Sequence, residues 1–137
     1  MIESGICWNF KKDILLGVHD FETDDFAIAL YTKSAKLSPA STTAYTDVGE
    51  VEDLDYDAGG MIMTHRIVEE NGTVKVVFDD VEFDGEITAR GALVYNYTQG
   101  NKAVAILNFG MDQSSSNGVF KIRFPKFHDY GNLIAIK

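Results

Sequence analysis

The stretch MIMTHRIVEENGTVKVVFDDVEF, Met61 to Phe83, decides the fold. Two runs rich in Val, Ile, Thr and Phe stand on either side of Asn71-Gly72. Such residues suit a half-buried pleated surface. Asn-Gly supplies two positions that accept positive φ, which a tight hairpin turn requires. The spacing therefore predicts strand, turn, strand. The same pattern continues downstream. DGE, Asp84 to Glu86, makes another turn. ITARGALVYNY, Ile87 to Tyr97, leads through TQGNK into AVAILNFG, Ala103 to Gly110. After FGMDQSSSNG, Phe109 to Gly118, come VFKIRFP, Val119 to Pro125, and NLIAIK, Asn132 to Lys137. In the first of these, Val119, Lys121 and Arg123 alternate with Phe120, Ile122 and Phe124, so one face is wet and the other dry.

Upstream, DFAIALYT, Asp25 to Thr32, is apolar on both alternating faces and reads as a buried strand. Trp8, Phe10, Ile14, Leu15 and Val18 recur near helical spacing, with Lys11, Lys12 and Asp13 between them. They predict an amphipathic helix over about 4–19. DFETDD, Asp20 to Asp25, follows as an acidic turn. Lys33 to Gly60 is long, irregular and rich in Ser, Thr, Pro and Asp, with short helical turns expected around Tyr45 to Val51. A loop of that length in a compact domain is functional or an interaction surface. The expected architecture is all-β. It is an antiparallel β-sandwich or flattened barrel of about seven to eight strands with one N-terminal α-helix. A single domain over 1–137 is expected, with the sandwich occupying about 24–137.

At 137 residues, 45% of them hydrophobic, the chain can bury roughly two-thirds of its unfolded surface without staples. The formal net charge of −9 argues against a nucleic-acid or anionic-membrane surface, since phosphate binding needs clustered Lys and Arg. Cys7 is the only cysteine, so no internal disulfide forms. MIESGICWNF carries no basic region followed by an apolar run, and no signal peptide is expected. No apolar run approaches the ~20 residues of a membrane-spanning helix. The sequons Asn71-Gly72-Thr73 and Asn96-Tyr97-Thr98 are read as turn chemistry.

Each candidate for chemistry has a plainer alternative. Ser114, Ser115 and Ser116 lack the Gly-x-Ser-x-Gly frame of a nucleophile elbow, and nothing ties His19, His65 or His128 to them. The run reads as a hairpin turn closed by Asn117-Gly118. DVEFDG, Asp80 to Gly85, resembles the opening of a calcium loop, but the twelfth position is Gly91 where a bidentate Glu is needed. Asp80, Glu82, Asp84 and Glu86 fall on one strand face, expected to face solvent. One Cys and three scattered His do not make a zinc site. DAGG, Asp57 to Gly60, lacks the frame of a dinucleotide fingerprint. No catalytic residue, metal ligand or cofactor is assigned. Glu50, Glu52, Asp53, Asp55 and Asp57, in the long loop, suit a cation or a basic partner surface, or simply solvent. Tyr45, Tyr56, Tyr95 and Tyr97 either pack in the sheet or stack on sugar rings in a carbohydrate-binding module.

The order of motifs resembles a family of small structural proteins from the virions of tailed bacteriophages. The resemblance runs from about Asp24 to Pro125. Its most specific parts are ITARGALVYN, within Phe78 to Asn96, and the pattern FG-DQSS-NG-F-I-FP, within ILNFGMDQSSSNGVFKIRFP, Ile106 to Pro125. SAKLSPASTTAYT, an EV turn and DYDAGG, Asp55 to Gly60, lie between the first strand and these blocks. Asp57 stands where the family frequently has Thr, and the acidic hairpin is heavier than usual. The resemblance implies a virion component without enzymatic activity. It would be made in the bacterial host cytoplasm and would bind the major capsid protein or tail proteins. A capsid decoration or cement protein is the leading expectation; a tail, baseplate or fibre-associated component is the alternative. A homo-oligomer is expected, with no nucleic acid and no membrane as partners. The expected partner surface comprises Trp8, Phe10, Ile14, Leu15, Tyr45, Glu50, Glu52, Asp53 and Tyr56.

Overall fold

The computed structural model describes residues 1–124 and 134–136. His128, Pro125, and Asn132, Leu133 and Lys137 of the last expected strand lie outside the described residues. Strands, isolated bridges included, account for 47% of the described residues and helix for 6%, so the all-β expectation holds. The described elements are β1 (Gly5–Ile6), α1 (Trp8–Leu15), β2 (Phe26–Tyr31), β3 (Met61–Ile62), β4 (His65–Glu70), β5 (Thr73–Phe78), β6 (Val81–Asp84), β7 (Thr88–Asn96), β8 (Lys102–Ser114), β9 (Val119–Ile122) and β10 (Ile134–Ile136). They form a five-stranded sheet in the order β1-β8-β7-β2-β3, a three-stranded sheet β10-β5-β4 and a pair β6-β9. Every pairing between these strands is antiparallel. The ten described strands exceed the expected seven to eight because β1 and β3 are two-residue additions at the edges of the large sheet.

Both Asn-Gly turns form. Asn71 and Gly72 (φ 51 and 80) join β4 to β5, pairing Glu70 with Thr73. Asn117 and Gly118 (φ 54 and 78) close a tight turn between Ser116 and Val119. That second turn does not make a hairpin within one sheet. It hands the chain from β8, in the large sheet, to β9, which pairs with β6. In β9 the expected alternation is present, with Phe120, Ile122 and Phe124 buried while Lys121 and Arg123 are exposed.

The helix is shorter than expected. Gly5 and Ile6 pair with Ile106 and Ala105 of β8, and the Cys7 amide donates to Val104 O, which removes the chain before Trp8 from the helix. At about 100° per residue, Phe10 and Ile14 lie about 40° apart while Trp8 and Leu15 occupy the opposite side. Phe10 is therefore buried and Ile14 packs against the core, whereas Trp8, Leu15 and Leu16 are exposed.

β2 is buried at all six positions, as its sequence predicts. Its register opposes Phe26 to Asn96 and Ala27 to Tyr95, fixing the two faces of the sheet. On the first face Phe26 stacks on Phe21 at 4.3 Å, and His19 and Phe10 follow in the same aromatic row. On the second, Tyr45 meets Tyr95 at 5.1 Å and Tyr31 Oη donates to Thr46 O. The long loop thus covers this face as ordered backbone without the expected helical turns around Tyr45 to Val51. Phe26, His65, Phe78 and Phe124 link the three-stranded sheet to the core; Tyr56–Phe83 and Phe109–Phe120 link the β6-β9 pair. The arrangement is sandwich-like around a continuous apolar cluster. Gly60 lets the loop cross this sheet. A Cβ there would stand 1.8 Å from Ile28 O, and the residue has φ 75.

Candidate functional site

The long loop is held by one carboxylate. Gly49 to Val51 lie along β2, with Thr32 N donating to Gly49 O and Val51 N to Leu30 O. This places Glu50 opposite Tyr31 and turns its side chain inward. Its oxygens accept from Tyr45 Oη at 2.5 Å, Tyr56 Oη at 2.5 Å and the Gly59 amide at 2.7 Å. Tyr56 Oη in turn accepts the Leu30 amide, and Tyr95 Oη donates to Gly59 O. Burial raises the pKa of Tyr31, Tyr45, Tyr56 and Tyr95 above the ordinary tyrosine value, and the Glu50 charge raises each further. The phenols therefore stay protonated as donors. A buried carboxylate satisfied by charge-assisted bonds is a fastening, because hydrogen bonds to an ionised acceptor are the stronger kind.

Part of the expected partner surface lies inside this chain. Glu50, Tyr56 and Phe10 are buried, and Tyr45 is half-buried against Tyr95. Their side chains belong to the interior of this chain. Trp8, Leu15, Glu52 and Asp53 are exposed, and Ile14 is intermediate. Of the four tyrosines expected for sugar stacking, only Tyr97 is exposed. Asp53 Oδ2 accepts the Thr88 amide and Asp55 Oδ2 the Glu86 amide, so these two carboxylates pin the loop to the start of β7. Between them Leu54 is fully exposed, flanked by the exposed Glu52. The loop therefore presents an apolar tip among carboxylates. Sequence reasoning named the carboxylates but missed Leu54, a lone apolar residue in a charged run.

A second feature lies in FGMDQSSSNG. β8 runs on to Ser114, past the expected end at Gly110. Between Gly91↔Asn108 and Ala89↔Gln113, four residues of β8 face one of β7. This is a four-against-one bulge, with Gly110 at φ 84 and Arg90 Nε reaching Asp112 Oδ1 at 3.0 Å. Bulges re-aim side chains. Here the bulge brings Phe109 to 6.2 Å from Phe120 and leaves a groove of about 430 Å³ between β8 and β9. Leu107, Phe109, Phe120 and Ile122 give it an apolar lining, and Lys121 and Arg123 give it positive charge. Among the described residues no carboxylate lines it. Ser115 Oγ accepts the Ile87 amide at 2.8 Å, a structural contact rather than that of a nucleophile with a base.

The remaining ionisable groups are dispersed. Asp80, Glu82, Asp84 and Glu86 are exposed as expected, and no group of three or more metal-ligating side chains occurs among the described residues. His19 Nδ1 takes a hydrogen bond from Asn96 Nδ2, which also bonds Asp24 Oδ2. Burial lowers the His19 pKa, opposed by the charges of Asp13 and Asp24. Burial works against the Asp24 carboxylate, but hydrogen bonds from Asn96, the Asp20 amide and Gln99 outweigh it and lower its pKa. His19 Nε2 and Asp13 Oδ2 are buried with no partner among the described residues. Burial pushes the Cys7 thiol up to about 11, so it is not a ready nucleophile. No described helix is long and apolar enough to cross a membrane.

No family model matches the chain, and neither the curated proteins nor the solved structures include a significant match to it.

Proposed function

We propose that this chain is a non-enzymatic structural protein of a tailed-phage virion that works by binding its neighbours. Within that class we favour a capsid decoration or cement protein, with the major capsid protein as partner. The supporting observation is a surface with three separate sets of exposed apolar side chains. Trp8, Leu15 and Leu16 flank Lys11 and Lys12 on the outer face of α1. Leu54 tips the acidic loop. Ile67, Val74 and Ile136 share one face of the β10-β5-β4 sheet, as the pairings Ile67↔Val76 and Ile136↔Val74 require. Exposed apolar groups framed by polar residues suit docking surfaces. Several modest contacts, repeated over a lattice, suit a protein that gains by avidity.

Particles assembled without this protein test the proposal. A decoration protein predicts intact heads that release their genome at lower temperature, with resistance restored by adding the protein back. Heads of unchanged heat resistance together with missing or defective tails would support the alternative, a tail or baseplate component.

A further inference from the structure

We propose that the groove between β8 and β9 receives the Leu54 loop tip of a second copy of this chain, forming a reciprocal two-fold pair. The inference rests on the assembly role above and names one contact within it. Complementarity of shape and charge points to this occupant. The chain carries 21 acidic and 12 basic residues, yet the ten described residues lining the groove include two cations, Lys121 at 3.7 Å from Glu82 Oε1 of β6 and Arg123, and no carboxylate. Its apolar lining and the adjacent Lys121 and Arg123 suit an apolar side chain flanked by carboxylates. The chain presents that chemistry at Glu52-Asp53-Leu54-Asp55, where Leu54 is fully exposed. The groove, at about 430 Å³, has room for a leucine side chain and its neighbours. The exposed apolar set on α1 fits less well. Trp8, Leu15 and Leu16 come with Lys11 and Lys12, which would bring cation against cation.

The placement of knob and groove favours reciprocity. Asp53 Oδ2 accepts the Thr88 amide at 2.9 Å, and Thr88 Oγ1 is 2.9 Å from Ser114 Oγ, a residue that lines the groove. Knob and groove therefore share one end of the molecule. A two-fold axis passing between them makes both contacts at once, which is how self-complementary patches close into dimers. The knob is pre-shaped, because Asp53 and Asp55 fasten the loop on either side of Leu54. Glu52 and Asp57 are exposed, with no side-chain partner among the described residues, and are available to meet Lys121 and Arg123. A net charge of −9 on each copy opposes the pairing at low salt, so it is best measured near 0.15 M ionic strength, where distant charges are screened.

Sedimentation velocity of the purified chain over a concentration series is the test. A concentration-dependent dimer is expected, with Leu54→Asp or Arg123→Glu raising its dissociation constant about 10- to 100-fold. Both sites are exposed, so neither change should disturb folding. Lys11→Glu with Lys12→Glu, a comparable charge change on the helix, should leave the dimer intact. In a complementary pair, the Lys121→Glu/Arg123→Glu chain and the Glu52→Lys/Asp57→Lys chain should each fail to self-associate but dimerise when mixed. A monomer up to about 1 mM, self-association unaffected by Leu54→Asp, growth beyond a dimer, or no rescue on mixing overturns the inference. Such a result leaves the virion role standing, because that role is measured on particles.

Discussion

Replacing Glu50 with Ala should unfasten the long loop at a cost that can be worked from the structure. Three donors lose their acceptor: the Tyr45 and Tyr56 hydroxyls and the Gly59 amide. Each buried donor left without a partner costs about 1–3 kcal/mol. Tyr45 is only half-buried and can find water, so it contributes least. Part of the loss is offset because the carboxylate no longer has to be desolvated. The net expectation is about 3–5 kcal/mol, the range seen when one partner of a buried charged contact is removed. For a chain of this size that corresponds to a fall in Tm of about 10–20 °C. Differential scanning calorimetry gives the Tm, and hydrogen exchange should show lost protection at the Gly59 amide. Tyr56→Phe alone should cost about 2–3 kcal/mol, because it removes a bond to Glu50 and the acceptor of the Leu30 amide. The double variant should fall short of the sum by at least about 1 kcal/mol, as members of one network do. A Tm within about 3 °C of wild type for Glu50→Ala, or strict additivity with Tyr56→Phe, would refute the role given to this carboxylate.

Three further outcomes follow from the same contacts. Tyr31, Tyr45, Tyr56 and Tyr95 have raised pKa values when folded, so their stabilisation is complete below the unfolded pKa of about 10 and is lost as pH rises above it. In a Tyr97→Phe/Tyr130→Phe background, which leaves only these four rings, circular dichroism and tyrosinate absorbance should therefore change together in one cooperative alkaline step; absorbance rising well before unfolding in that background would contradict this. His19 has a lowered pKa, so stability should decline as pH falls below about 6.5, by at most about 1.4 kcal/mol per pH unit. His19→Gln should flatten urea midpoints between about pH 6.5 and 5.5, and an unchanged slope would remove His19 as the cause. Gly60→Ala should cost about 3 kcal/mol or more, since its Cβ meets Ile28 O at 1.8 Å and its φ is positive; urea unfolding with a cost below about 1 kcal/mol would show that the crossing can relax.

Local rules carried much of the fold. The apolar run Phe26 to Tyr31, the Asn71-Gly72 turn and the alternation in Val119 to Phe124 each translate directly into burial or reversal, because each depends on neighbouring residues. Helix length did not follow from periodicity. Ser4 to Ile6 fit a helical pattern, but pairing with β8 offers their backbone another partner, and the apolar residues then divide between two faces. The reach of β8 past Gly110 was hidden because a four-residue bulge breaks period-two alternation. In the acidic loop, Glu50, Glu52, Asp53, Asp55 and Asp57 look equivalent in sequence. Only the fold decides that Glu50 turns inward to two tyrosines, that Asp53 bonds the first amide of β7 and Asp55 an amide of the turn before it, and that Leu54 stands outside. A long-range contact such as Glu50 with Gly59 beneath Tyr95 leaves no local periodic signal, whereas a wet-dry alternation does.

Cryo-electron microscopy of the particle is the decisive measurement for the proposed role as a virion component. A decoration protein should appear as ordered copies on the outer face of the head, with the α1 face or the β10-β5-β4 sheet seated on capsid subunits. Density for this chain confined to the tail would move it to the alternative role, and its absence from the particle would contradict the proposal outright.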